Sequence, residues 1–421
     1  MISLPYLTSS FPGVGGTIKN RPEDFFVQEI PLYEPTGDGE HVYCEIQKCG
    51  LTTIEAIDRL ARALRVSTRD IGYAGMKDAN AVTRQMLSIP GITEDQAMTT
   101  VVEGVQVLWA ARHGNKLRLG HLAGNRFAIK IRNVQPTDVI KLDPVLDEIR
   151  RRGMPNYFGE QRFGRRNDND RLGAAYVRGD DAEVLRLLVG NPDPSVDDEE
   201  SLAARTLYEQ GDLQRALNSL PRRFHTEARA LARFIKTGSA ATAVGAVDER
   251  LRKLWISALQ SRMFNQVVTQ RVATLDRLLN GDLAWKHENG AVFTVESAAV
   301  EQPRCDAFEI SPSGPMLGYR MTTPSGDALA IEQAVLSSEG LAAEDFQRAG
   351  DLRVKGARRP LRIRPDECRL EAGGDEHGGF ITVAFTLPAG SFATVLIREL
   401  TKLDGSSNVV SAVTERDSND R

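Results

Sequence analysis

The sequence predicts an α+β fold in which a long, mostly helical block interrupts one strand-rich domain. Three observations carry the prediction. Before about Asp138, several short runs alternate apolar and polar side chains with period two, the pattern of half-buried strands. From about Asp138 the apolar spacing becomes that of helices and stays so through the middle of the chain. Strand character then returns at Gly379–Leu387. An all-helical block inserted into one α+β domain explains this order more simply than three domains in a row, and it lets about the last 60 residues rejoin about the first 150 in one sheet. A chain of 421 residues also exceeds what one hydrophobic core supports, so two domains are expected.

In chain order, Gly13-Val14-Gly15-Gly16 has the look of a phosphate loop but precedes a strand-like segment instead of a helix N-terminus, so it reads as a turn. His41–Gln47 alternates like a strand, with Val42, Cys44 and Ile46 on one face. Thr53 is placed as the N-cap of a helix that carries Ile54, Ile57, Leu60, Ala61 and Leu64 on one side. That helix leads toward a glycine-flanked turn, after which Ala81–Ile89 is extended and stops at Pro90-Gly91. Lys116–Leu119 and Arg126–Arg132 read as two more strands. In the second, Phe127, Ile129 and Ile131 share one face, and Arg126, Lys130 and Arg132 the other.

Val139, Leu142, Leu146 and Ile149 mark the first helix of the middle block. The longest helix runs from about Asp248 to Leu279, with Leu251, Leu254, Trp255, Ala258, Met263, Val267, Val268 and Leu275 as its core stripe. Gly190–Ser195 is a loop between helices. Ser391 caps a last helix to Lys402, on which Val395, Leu396 and Leu400 pack, and the Ser-, Asn- and Asp-rich tail after about Asp404 is expected to fray.

Composition excludes several functions. With 41% hydrophobic and 26% charged residues the chain is of ordinary soluble type, no apolar run approaches the roughly 20 residues that span a bilayer, and the start lacks a charged region followed by an apolar one. The cytoplasm is the expected compartment. Cys44, Cys49, Cys305 and Cys368 form no CxxC pair and the six histidines no HxxxH or HxH spacing, which speaks against a zinc site. There is no GxxxxGK[ST] loop and no GxSxG elbow, so no nucleotide cofactor or acyl-enzyme chemistry is implied.

The net charge of -4 argues against a general polyanion binder, but local clusters matter more. Between Arg150 and Arg178 eight arginines face three acids, with Tyr157, Phe158 and Phe163 interleaved, and a second cluster runs from Arg353 to Arg364. One such cluster reads as a solvated helix face. Two, with aromatics, read as a surface that tracks phosphates and stacks bases.

The most informative stretch is Gly72–Gln85. It sets one carboxylate, Asp78, beside Lys77 on a glycine-flanked turn between a helix and a strand. Loops on a rigid scaffold are where reactive side chains sit, although most Asp beside Gly or Asn are simple turn residues. An isolated carboxylate with nearby cations, aromatics and a basic surface suits covalent or electrostatic catalysis on RNA or DNA, without identifying the reaction.

Five segments in order together resemble the tRNA pseudouridine synthase D (TruD) family: Lys19-Asn20-Arg21-Pro22-Glu23-Asp24-Phe25 with Val27 and Glu29; Gly75-Met76-Lys77-Asp78 with Ala81, Thr83 and Gln85; Gly124-Asn125-Arg126-Phe127; Asn156–Gly164; and Phe385–Thr394 with Arg398-Glu399-Leu400. Ser261–Asn265 is a weaker sixth. The resemblance spans residues 19 to 400. It implies a pseudouridine synthase catalytic domain with a mixed, mainly antiparallel sheet over residues 1–155 and 360–421. It also implies an inserted, mostly helical α/β TRUD domain over 156–359, the two making a V shape with RNA in the basic cleft.

The implied reaction is isomerisation of uridine to pseudouridine, typically at uridine 13 of tRNA; the residues imply no cofactor, and a monomer is the default expectation. Asp78 matches the catalytic aspartate and Lys19 the cation that pairs with it, ranked above Lys77, which is left to RNA because neighbours in extended chain face opposite ways. Phe127 matches the aromatic on which the flipped base rests, though by its pattern alone it is core. Asn125 is placed to bond a base edge or hold the Asp78 loop, and Tyr157, Arg162 and Arg398 to contact RNA or brace the scaffold; Phe163 and Phe392 equally suit the core. The block is longer than in compact bacterial members around residues 180–245, and Ser311–Pro315 departs from the compact motif, which bears on RNA specificity. Two other readings remain at this point: an RNA-binding or RNA-folding protein of the same fold, and a metal-dependent nuclease, which would need clustered acids or histidines.

Overall fold

The computed structural model describes residues 4–403, so the Ser-, Asn- and Asp-rich tail lies outside the described residues. The chain forms two compact units, one of Tyr6–Met154 with the chain from Ile363 onward, the other of Pro155–Arg362 with the first five residues. Among the described residues no helix is long and apolar enough to cross a membrane.

The first unit is built on an eight-stranded sheet. Its strands are β1 (Phe25–Pro31), β2 (His41–Cys49), β3 (Gly72–Tyr73), β4 (Val82–Pro90), β5 (Val105–His113), β6 (Leu122–Arg132), β7 (Asp366–Asp375) and β8 (Gly378–Pro388). They lie in the order β7-β8-β6-β1-β4-β2-β5, with β3 on β4. β1 and β4 run parallel and the other pairs antiparallel, so the sheet is mixed and mainly antiparallel. The last strands of the chain thus join the first ones: β8 lies along β6 from Phe380↔Arg132 to Pro388↔Gly124. Gly124 has to be glycine, because a Cβ there would sit 2.3 Å from the Leu387 carbonyl oxygen.

The helices of this unit are α1 (Thr53–Leu64), α2 (Glu94–Thr99), α3 (Asp143–Arg152) and α4 (Ala393–Thr401). Val42, Cys44 and Ile46 of β2 are fully buried with Leu87 and Ile89 of β4 against Ala56, Ile57, Leu60 and Ala61 of α1, as the alternation of β2 predicts. The Gly13–Gly16 segment is irregular chain and not a helix N-terminus, with Val14 and Gly15 donating to the Leu400 and Thr401 carbonyls.

Several expectations need correction. The cap of α1 is Thr52, whose hydroxyl accepts from Glu55 N at 3.1 Å while Glu55 returns a bond to Thr52 N, so Thr53 is the first helical residue. Ile54 is 42% exposed and belongs to the outer face. Lys116–Leu119 is not a strand: Leu117 is buried but Leu119 is 68% exposed, and the strand at this edge is β5, which the sequence reading passed over. Val139 lies in a short 3-10 turn before α3, and α3 belongs to the sheet unit. Phe392 takes the N-cap position of α4, not Ser391.

The second unit is mostly helical, around Glu249–Arg271, which Asp248 caps. That helix ends at Arg271, earlier than expected, and Leu254 is 39% exposed instead of core. It packs on Asn169–Arg178 so closely that a Cβ at Gly173 would lie 2.3 Å from the Trp255 carbonyl oxygen. The unit is not all helix: Leu283–Lys286, Val292–Thr294, Ile310–Met316 and Ala357–Pro360 form a four-stranded sheet. Its strands were hidden by Pro312 and Pro315, which read as loop.

Candidate active site

The site begins with a split in the first unit's sheet. β1 pairs with β4 only at its start, through Phe26–Gln28 and Val82–Arg84, and further along β4 the short strand β3 pairs with Ser88 and Leu87 instead. The chain leaving β3 crosses this split as the turn Ala74–Ala81, which carries Asp78.

Hydrogen bonds fix the turn on several sides. Thr53, at the start of α1, accepts from Lys77 N and donates to Gln85 Oε1, both at 2.9 Å. Gly120 N donates to the Ala74 carbonyl at 2.8 Å. Lys48, 1% exposed, reaches up from β2 and donates to the Asp78 carbonyl at 3.0 Å and to the Leu51 carbonyl at 2.6 Å. Asn80 N donates to Asp78 Oδ1 at 3.0 Å, a bond from Asp to the backbone two residues on.

The ion pairs are sorted as the extended chain predicts. Lys19 Nζ pairs with Asp78 Oδ2, and Lys77 turns the other way to pair with Glu29 at 2.6 Å. Lys19 occupies the left-handed region at φ 58°, and its ammonium also lies 4.6 Å from the Phe25 ring centre. Its side chain is 7% exposed, whereas that of Asp78 is 31% exposed. The cation is therefore buried behind the carboxylate, and the carboxylate still meets solvent.

Electrostatics keep this carboxylate ionised. Burial pushes the Asp78 carboxyl up, but the hydrogen bond and charge of Lys19, the Asn80 N–H and the charge of Lys48 outweigh it and hold the group below its ordinary value. Burial lowers Lys48 to about 8, against the opposing pull of Asp78 and with the help of Lys77.

Phe127 and Asn125 share the sheet face of Val27, Glu29 and Thr83, since β6 pairs Val27↔Phe127 and Glu29↔Asn125, and β1 pairs Val27↔Thr83. Phe127 is 7% exposed and its ring stacks on Phe385 at 5.2 Å. Asn125 Oδ1 and Thr83 Oγ1 are buried with no hydrogen-bond partner among the described residues, so Asn125 does not tie down the Asp78 turn. Two unmet polar atoms on one face are what a polar ligand would satisfy.

Tyr157 and Arg162 belong to the other unit. Tyr157 is 1% exposed and donates to the Pro5 carbonyl, and Arg162 lies over Phe158 with bonds to Ser257 and Ser261. Both brace the scaffold. In the sheet unit Arg398 is 9% exposed with its guanidinium over the Tyr6 ring.

The arginine clusters are only partly drawn into the protein, and what the structure contradicts is the reading of Tyr157 and Phe158 as stacking platforms. Arg150, Arg151 and Arg166 pair with Asp147, Glu148 and Asp197; Arg358 and Arg362 are buried, the first on Glu332. Tyr157 and Phe158 are core. Arg150, Arg151, Arg165, Arg171, Arg178, Arg353 and Lys355 stay exposed.

Sequence reasoning missed Lys48, gave Glu29 no role in the site and made Thr53 only a helix cap. A signal was present for Lys48: it continues the Val42, Cys44, Ile46 face of β2, where a lysine is out of place. Among the described residues no three His, Cys, Asp or Glu side chains group to hold a metal ion.

The family model for tRNA pseudouridine synthase D (TruD) matches residues 1–400. A tRNA pseudouridine synthase D of Geotalea daltonii is 46% identical over 399 residues, 94% of this chain and 99% of the relative, and one of Geobacter sulfurreducens is 45% identical over 402 residues, 95% and 97%. A crystal structure of a TruD-family chain from Methanosarcina mazei superposes with a TM-score of 0.83 at 28% identity, covering 96% of this chain and 97% of that one. The split sheet with its lysine-backed aspartate therefore sits in a chain that belongs to the tRNA pseudouridine synthase D (TruD) family.

Proposed function

We propose that this chain isomerises uridine to pseudouridine in tRNA, at uridine 13, with Asp78 as the nucleophile and no cofactor. The observation that carries the reading is the Lys19–Asp78 pair, an ionised carboxylate that is held rigidly yet open to solvent on one side. Attack by Asp78 on the target nucleotide lets the bond from the ribose carbon to the uracil nitrogen break. The base turns, a bond from the same ribose carbon to a ring carbon forms, and the bond between Asp78 and the nucleotide breaks, its electron pair returning to the carboxylate. That ring carbon gives up a proton and the freed nitrogen gains one, so atoms and electrons balance within the substrate and no oxidant or reductant is required.

Lys19 and Lys48 stabilise the charged form of Asp78 before attack and receive it again on release. The base has to leave its stack to reach the carboxylate. Phe127 supplies an apolar ring beside it, and Asn125 Oδ1 an acceptor for a ring N–H. Exposed Arg165, Arg171, Arg178, Arg353 and Lys355 are among the cations of the second unit available to phosphates.

The test is incubation with unmodified tRNA transcript in excess chelator, followed by chemical mapping of pseudouridine. Product at position 13 is expected. Product at another position overturns the site assignment, product only with added metal overturns the cofactor-free mechanism, and tRNA binding without any product favours an RNA-folding protein of the same fold.

A further inference from the structure

The first unit holds a second cluster of chemistry that the Asp78 site does not use. Three of the chain's six histidines, His41, His113 and His121, gather near the Pro31–Thr36 segment, and two of them line a recess of about 550 Å³. Its other walls include Tyr33, Thr36, Lys116 and Arg118.

The aromatic floor is locked by its own contacts. The Tyr33 ring stacks on His113 at 5.2 Å, its hydroxyl bonds His121 Nδ1 at 2.9 Å, and Tyr43 meets the His113 ring edge-on at 4.7 Å. Flat rings held this way bind another flat ring with little ordering cost.

Lys116 and Arg118 both line the recess, and among the described residues neither is matched by a carboxylate within ion-pair distance. Lys116 is held in place by donating to the Arg69 carbonyl at 2.6 Å, and Arg118 is exposed. A flat ring beside two cations matches a nucleotide of single-stranded nucleic acid, the base on the ring and the phosphate on the cations. Glu34, the carboxylate in the lining, suits a base N–H donor.

The recess is tied to the Asp78 turn. Leu117, between the two cations, is buried in one cluster with Tyr43, Ala74 and Met86, and its N–H donates to Ser88 Oγ at 2.9 Å. Gly120 N donates to the Ala74 carbonyl, and Ala74 precedes Asp78 by four residues, at most about 14 Å of extended chain.

We infer that this recess is an RNA subsite, in which an unpaired nucleotide near the target uridine stacks on the Tyr33 ring, which His121 meets edge-on at 66°, while Lys116 and Arg118 hold its phosphate. This rests on the proposed reading of RNA as substrate. The experiment measures affinity of the full chain for unmodified tRNA transcript across a salt series, for wild type and for the double variant Lys116→Gln, Arg118→Gln, with ultraviolet crosslinking of the wild-type complex and mass spectrometry of the crosslinked peptides.

The variant is expected to bind roughly tenfold more weakly, with a salt slope reduced by about one to two, and crosslinks are expected in residues 33 or 115–121. Unchanged affinity and slope, or wild-type crosslinks confined to other segments, overturn the subsite. Pseudouridine is assayed in the same samples. Wild type that turns over while the variant binds normally sinks the subsite alone, whereas wild type that binds with crosslinks here but forms no product sinks the reaction alone.

Discussion

Lys19 and Lys48 act on the same carboxylate from different depths, and their consequences separate with pH. Lys19 gives the largest opposition to the burial that would neutralise Asp78. In Lys19→Met the folded-state pKa of Asp78 therefore rises, and the acid limb of the single-turnover rate profile moves to higher pH, with a lower plateau. An unmoved acid limb would mean that Lys19 does not set the charge of Asp78. The same pair has a stability consequence of fixed sign: because the Asp78 pKa is depressed, its contribution is present above the unfolded carboxyl value of about 3.9 and is lost as pH falls through the folded value. Lys48 behaves oppositely. Its pKa is lowered to about 8, so it is charged below that pH and neutral above it. The wild-type rate is expected to fall above pH about 8, and Lys48→Met, which has no charge to lose, to be slower by about tenfold with no such alkaline limb. A limb that survives in the variant would assign it to another group.

At the scale of elements, the N-terminus of α1 does two jobs with adjacent threonines, and the two can be separated. Thr52 closes a capping box with Glu55, so Thr52→Ala should cost about 1 kcal/mol in urea unfolding and leave turnover unchanged. Thr53 bonds Lys77 N and Gln85, so Thr53→Val should cost about 1–2 kcal/mol and slow turnover as well, because the Asp78 turn loses a tether. Equal effects of both on turnover would deny that the helix start positions the turn. The sequence carried the Thr-x-x-Glu spacing that identifies Thr52, and choosing Thr53 missed it. The β2 and β6 alternations were legible because one face of each is fully buried. β5 was not, because its residues are half-exposed on both faces and blur the period, while the four-residue alternation at Lys116–Leu119 belongs to a loop held by Leu117. The glycine-flanked turn singled out Asp78 as a candidate, whereas Lys19 as its partner was legible only through the family resemblance. Arginine count misled in part, since a linear sequence shows how many cations lie near one another but not which carboxylates fold back to meet them.

At the scale of the whole molecule, the sheet unit depends on segments far apart in the chain. Arg132 at the end of β6 is 5% exposed and clamps Asp24, just before β1, with two bonds of 2.7 Å, and Asp375 at the end of β7 with bonds of 2.9 and 3.0 Å. Removing the guanidinium leaves Asp24, 1% exposed, as an unpaired buried charge. Arg132→Met should therefore destabilise the protein by about 3–5 kcal/mol in urea unfolding, and a loss under about 1 kcal/mol would show that the clamp is dispensable. β1 pairs with β6, carries Glu29 to Lys77 and runs beside β4, so the clamp also holds the strands that flank the split from which Asp78 emerges. The most direct test of that arrangement is single-turnover pseudouridine formation by Asp78→Asn, with tRNA affinity measured on the same preparation. The isosteric amide keeps the turn but removes the nucleophile, so a rate loss of at least about 10,000-fold with affinity within about threefold of wild type is predicted. A variant that still forms pseudouridine within about tenfold of the wild-type rate would contradict Asp78 as the reacting group.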